Sequence, residues 1–167
     1  LLKKKAKEII DAGVDWLAIS LDGIEKTDEK IRGVSGHFKM VIEGIEEVKK
    51  IKKDFKINIG TTILKDNISE ISELIKLCRK LGVTWSFNLL DNNLYFFQNI
   101  DEGSLKVSDQ KLIDKTIDYL YKSKKEVPEV FNLDDKSLEF ARDYMKLKNP
   151  HFFCVIGYVR IYIDSKL

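Results

Sequence analysis

The chain has 167 residues, 44% of them hydrophobic and 34% charged, which suits one folded domain with a real core and excludes a disordered segment. Its 29 basic and 27 acidic residues nearly cancel, so the charge balance makes no case for a nucleic-acid partner. No apolar run approaches the ~20 residues of a membrane span, and no apolar region follows the charges of Leu1-Leu2-Lys3-Lys4-Lys5, so neither a membrane segment nor a secretory leader is expected.

Apolar residues at Leu2, Ala6, Ile9 and Ile10 have helical spacing, and Gly13 suits the position just past a helix end. Val14 to Ser20 then reads as a strand. Its consecutive apolar residues Trp16 to Ile19 predict burial on both faces, as in a parallel sheet. Leu21-Asp22-Gly23 leaves the strand in a turn, and a polar stretch from Glu25 to Ser35 follows. Phe38, Val41, Ile42, Ile45 and Val48 form the stripe of an amphipathic helix. Ile57 to Leu64 is a second strand. Asn67, with Glu70 three residues later, has the spacing of a capping box for the next helix. That helix carries Ile68, Ile71, Leu74, Ile75, Cys78 and Leu81 on one face and closes at Gly82. Val83 to Leu89 alternates as a third strand.

Helices alternating with strands through short connections predict an α/β fold with parallel strands and crossover helices, either an open sheet or part of a barrel. The regularity stops at Asp91. The loop 91–103 holds Leu94, Tyr95, Phe96 and Phe97, either facing a substrate or folding back on the core. Two helices are expected over 110–125 and 134–148, separated by Pro128 and ended by Pro150, and Val155 to Ile163 reads as a further strand.

Ligands of such sheets sit at the carboxyl ends of the strands. That rule selects Ser20 and Asp22 after the first strand, Thr62 and Asn67 near the second, and Asn88 near the third, with Arg32 in reach on the long loop. Together they offer hydroxyls, amides, a carboxylate and a guanidinium, able to bond a ribose and clamp a carboxylate. No histidine lies at a strand end to serve as a base, and His37 reads as structural. Asn67 also reads as a helix cap, Ser20 as a turn cap and Arg32 as a surface charge. The two cysteines, Cys78 and Cys154, are too far apart in sequence to suggest a disulfide framework, so a reducing cytoplasm is expected. Cys78 lies on an apolar helix face and reads as core, whereas Cys154 reads equally as a structural thiol or a cluster ligand.

Ala12 to Gly23, ending Ile19-Ser20-Leu21-Asp22-Gly23, resembles the fourth strand of radical S-adenosylmethionine (SAM) enzymes. Lys30 to Phe38, with Arg32-Gly33 and Gly36-His37-Phe38, resembles the stretch that follows it there. Ile57 to Asn67 and the strand from Val83 are similar to the fifth and sixth strands. Cys154-Val155-Ile156-Gly157 and Ile161 to Asp164 resemble the opening of the auxiliary-cluster (SPASM or twitch) domain. The resemblance implies a partial (β/α) barrel over 1–105, a helical connecting segment over 106–150 and the start of a small auxiliary domain over 151–167.

For chemistry, the resemblance implies reductive cleavage of SAM by a four-iron four-sulfur cluster and hydrogen abstraction by the 5′-deoxyadenosyl radical, from a peptide or small-molecule substrate. It places Ser20 and Arg32 on SAM, Arg32 against its carboxylate, and the backbone around Leu89-Leu90 beside the adenine; Cys154 becomes the first auxiliary-cluster ligand. The family's Cys-x-x-x-Cys-x-x-Cys motif does not occur here. The expectation is that this polypeptide alone cannot make the radical and is a fragment or a decayed remnant. The alternatives are a non-catalytic α/β binding module and a piece of an unrelated barrel enzyme.

Overall fold

A computed structural model describes residues 2–90 and 105–146. The loop 91–103, Cys154, the strand expected at Val155 to Ile163 and the auxiliary segment lie outside the described residues. Helix α1 (Leu2–Asp11) leads into strand β1 (Trp16–Ser20). A short helix α2 (Lys26–Arg32) and a longer α3 (His37–Ile51) precede β2 (Lys56–Ile63). A 3₁₀ turn (Ile68–Glu70) and α4 (Ile71–Leu81) lead to β3 (Thr84–Leu89). Then come α5 (Gln110–Glu126), a second 3₁₀ turn (Pro128–Val130) and α6 (Asp135–Met145).

The three strands form one parallel sheet in the order β1-β2-β3, with helices in each crossover. Sequential order with right-handed crossovers puts those helices on one side of the sheet, as in a barrel segment. The sheet does not close into a barrel among the described residues. Phe131 adds a single parallel bridge to Trp85, and Asn132 N–H donates to Trp85 O at 2.8 Å, so the chain returns briefly to the β3 edge.

The strand alternation sorts side chains onto two unlike faces. Leu17 and Ile19, Ile57, Ile59 and Ile63, and Trp85, Phe87 and Leu89 share the face that joins the core with α3, α4, α5 and α6. Thr61 is fully buried on this face. Its hydroxyl donates to Leu21 O (2.8 Å) and accepts from Trp85 Nε1 (3.0 Å), so no polar group is stranded. The opposite face carries Trp16, Ala18 and Ser20, then Lys56, Asn58, Gly60 and Thr62, then Thr84, Ser86 and Asn88. None of these belongs to the core cluster. Asn58 Nδ2 donates to Ser86 Oγ, and Thr84 Oγ1 to Asn58 Oδ1, both at 2.9 Å, forming a hydrogen-bonded row across the sheet.

This corrects the expectation of burial on both faces of β1. The strand alternates exposed and half-buried residues, and Trp16 is 49% exposed. The apolar run is real, but β1 is the sheet's edge and its outer face has no described cover. A second difference is α2, which the polar stretch hid.

Helix ends follow the local chemistry. Gly82 closes α4 in a left-handed conformation (φ 62°), where a side chain would be strained. Asp109 caps α5 by accepting from the N–H groups of Lys111 and Leu112, and Asp134 caps α6 through Ser137 N–H. Gly44 lets α3 lie close to α1, since a Cβ there would meet Leu2 at 2.9 Å. No helix among the described residues is long and apolar enough to cross a membrane.

Leu74 is fully buried where α4 packs on the sheet. Leu74→Ala is expected to lower unfolding free energy by about 2–5 kcal/mol, read as a shift of the urea midpoint with unchanged slope.

Candidate functional site at the carboxyl ends of the strands

The site is built around Asp22, which leaves β1 and is 4% exposed. One carboxylate oxygen accepts from Thr62 N–H at 2.7 Å, and the other lies 2.6 Å from Arg32 Nη2. The Asp22 N–H donates to Asp28 Oδ1 at 2.9 Å. Asp28 is fully buried, and its second oxygen is 2.6 Å from His37 Nδ1. His37 is therefore a structural partner, as the sequence suggested, and it ties the start of α3 to α2.

Burial pushes the Asp22 carboxyl above the usual carboxylate range, against the downward pull of the Thr62 N–H and the Arg32 guanidinium. The contacts are those of a carboxylate accepting two charge-stabilising bonds, and desolvation still outweighs them.

Asn67 is not the helix cap its spacing suggested. Its side chain makes no cap bond. Instead Nδ2 donates to Asp22 O (2.7 Å) and Thr62 O (2.8 Å), while Oδ1 accepts from Leu64 N–H (2.8 Å). It is fully buried and staples the ends of β1 and β2 together. Glu70 does not close a capping box either. Its oxygens accept from Ile24 N–H (2.7 Å), on the loop after β1, and from Thr27 Oγ1 (2.6 Å), in α2. Long-range partners have outcompeted the local motif.

The structure thus joins Asp22, Arg32, Thr62 and Asn67 by direct bonds. Ser20, Thr62 and Asn88 lie on the polar face of the sheet by register, with Ser20 opposite Gly60 and Thr62 opposite Asn88. Ser20 and Asn88 are exposed. Among the described residues a Cβ on Gly60 would meet nothing within 4 Å, which leaves room above the middle of this row. Arg32 is not an ordinary surface charge, since one donor is engaged by buried Asp22. Its side chain stays 32% exposed, leaving other donors of the fork for a ligand. The Leu90 carbonyl accepts from Tyr144 Oη at 3.0 Å, which brings α6 to the end of β3.

Asp28 and Thr61 were not singled out from sequence, and Glu70 only as the far end of a capping box. Asp28 and Glu70 sit in stretches rich in charge, where acids read as solvated. The one available signal was Gly23, whose absent side chain admits Thr27 (a Cβ would lie 2.8 Å from Thr27 Cγ2), marking a tightly folded loop.

Cys78 is fully buried, and burial pushes its thiol up to about 12, far from the thiolate that binds metal. No group of three potential metal ligands occurs among the described residues. These residues do not fit an iron–sulfur cluster. They do offer hydroxyl, amide and guanidinium groups, polar hydrogen-bonding chemistry of the kind that takes an organic cofactor rather than a metal cluster.

No protein-family model matches the chain. Over 83 residues it is 34% identical to a pre-heme d1 synthase of Dinoroseobacter shibae, a match covering 50% of this chain and 20% of that protein. Over 89 residues it is 37% identical to an AdoMet-dependent heme synthase of Oleidesulfovibrio alaskensis, covering 52% of this chain and 22% of the relative. An alignment of 176 residues spans the whole chain and 54% of a probable GTP 3′,8-cyclase of Methanococcus aeolicus, at 28% identity. These relatives are radical SAM proteins, and the chain is related to that family, as its motifs implied. The family uses SAM and a four-iron four-sulfur cluster. The chain spans about a fifth of the length of the first two relatives.

Two outcomes follow for the Asp22 junction. Asn67→Ala strands Leu64 N–H and two carbonyls in a buried site and is expected to cost at least about 1–3 kcal/mol in urea denaturation. For Asp22, the folded pKa lies above the unfolded one, so ionisation opposes folding. Relative to Asp22→Asn, the wild type should lose stability as pH rises from about 4 and level off once the elevated pKa is passed. A pH-independent difference between the two unfolding curves contradicts this.

Proposed function

We propose that this chain contributes the SAM-binding half of a radical SAM barrel, serving 5′-deoxyadenosyl radical chemistry on a small-molecule substrate in the cytoplasm. One observation carries the reading. A parallel sheet is ordinarily covered by apolar packing on both faces, yet the face that would line a barrel carries a row of small polar side chains, none of which joins the core cluster of the described residues. That row ends at Ser20, Thr62 and Asn88, beside a guanidinium held on the rim. Ser20 and Asn88 would hydrogen-bond the nucleoside, and the donors of Arg32 not facing Asp22 would take its carboxylate. Asp22 serves as the anchor of Arg32 rather than as a ligand contact, because its oxygens are already engaged. Thr62 offers its hydroxyl on the same face, and the backbone at Leu90 would flank the adenine.

The cluster that supplies reductive cleavage in the family would need thiolates other than the buried Cys78. Cys154 as an auxiliary-cluster ligand stays part of the proposal. The names of the relatives include heme-pathway synthases and a GTP cyclase, which supports a small molecule over a peptide as substrate.

Isothermal titration of the 167-residue chain with SAM tests this. Wild type is expected to bind. Arg32→Lys keeps the charge facing Asp22 but loses the planar fork, and should weaken binding about tenfold. Gly60→Leu projects into the open polar face without entering the core and should abolish binding at an unchanged melting temperature. Absence of SAM binding by the folded wild type at millimolar ligand overturns the proposal.

A further inference from the structure

Arg32 ends a helix that has little reason to exist by itself. Helix α2 spans seven residues, and its own N-cap residue, Glu25, makes no side-chain cap bond. Helices this short are unstable in water without outside support. Glu25 also sits at φ 40°, an uncommon conformation for a residue with a side chain, so the entry to the helix is strained. Something outside the helix must hold it.

The support comes from the loop after β2. Glu70, 46 residues beyond Ile24, places one carboxylate oxygen on Ile24 N–H and the other on Thr27 Oγ1. It ties the backbone just before the helix and a hydroxyl of its first turn to one distant side chain. Gly23 allows Thr27 to close against the turn, and Asp28 locks that turn through Asp22 N–H. Midway along the helix, Lys30 Nζ pairs with Asp66 Oδ2 at 2.8 Å, but both side chains are exposed and such a pair contributes little. At the far end Arg32 meets Asp22. The helix is therefore held at its start by Glu70, on the 3₁₀ turn after β2, in its first turn by Asp28, and at its end by Asp22, just past β1.

We infer that Glu70 is a positioning residue for Arg32, setting the place of the guanidinium at the rim without touching a ligand. That the guanidinium then meets a cofactor carboxylate rests on the proposed function.

The test compares Glu70→Ala, Glu70→Gln and, as a surface control, Asp66→Asn. Glutamine can accept from Ile24 N–H and donate to the Thr27 hydroxyl, so Glu70→Gln should behave as wild type. In ligand-free protein, Glu70→Ala should shift the Arg32 Nε–Hε resonance and speed amide exchange across α2. With ligand, it should weaken SAM binding about tenfold while leaving affinity for decarboxylated SAM unchanged, since only the carboxylate reads Arg32. Asp66→Asn should move none of these. A folded Glu70→Ala variant with the Arg32 resonance and the SAM-to-analogue affinity ratio both at wild-type values overturns the inference. Should wild type bind neither ligand, the proposed function fails, and the ligand-free resonance and exchange still decide the role of Glu70. Should Glu70→Ala not fold, Thr27→Val removes one of the two bonds and is expected to show the same changes at smaller amplitude.

Discussion

The ends of two parallel strands cannot be left as they are made. Where β1 and β2 stop pairing, their last amides and carbonyls still need partners, and here they lie buried. Asp22 and Asn67 meet that need together. The carboxylate takes the Thr62 amide, and the carboxamide takes two carbonyls and the Leu64 amide. Once this junction is closed, the loop after β1 has a fixed origin, and the placement of α2, His37 and Arg32 follows from it. The burial that raises the Asp22 pKa is the cost of that arrangement.

The two faces of the sheet divide the labour. One is dry, with isoleucines, Trp85 and a satisfied Thr61 against the helices. The other is a polar surface whose small side chains bond to one another along the Asn58–Ser86–Thr84 row, leaving space above Gly60. A face stocked with hydroxyls and amides gains little from packing and much from a polar ligand. The dry face holds the core, and among the described residues none of the wet face's side chains joins it.

Much of this was legible in the sequence. The strands and the longer helices showed through their periodicity, and Gly82 and the parallel arrangement were read correctly. Ser20, Asp22, Arg32, Thr62 and Asn88 were selected because strand ends are where α/β sheets bind ligands. What misled was locality. Trp16 and Ala18 are apolar yet point outward, so the run Trp16 to Ile19 concealed a two-residue alternation. Helix α2 has one strongly apolar residue, Ile31, and is held by bonds from another loop, which leave no periodic trace. Asn67 and Glu70 fitted a local motif by spacing, while their actual partners are up to 46 residues away. Sequence windows see the near competitor and miss the distant one that wins.

The contrast between the two tryptophans has a practical consequence. Trp85 is fully enclosed in the core, and Trp16 stands half in water at the start of the polar face. Their fluorescence should separate accordingly, with a blue, quencher-shielded component from the interior and a red component that iodide can reach. The chain thus carries two built-in optical reporters, one of global unfolding and one of events at the sheet's wet side, and no dye need be attached to follow either.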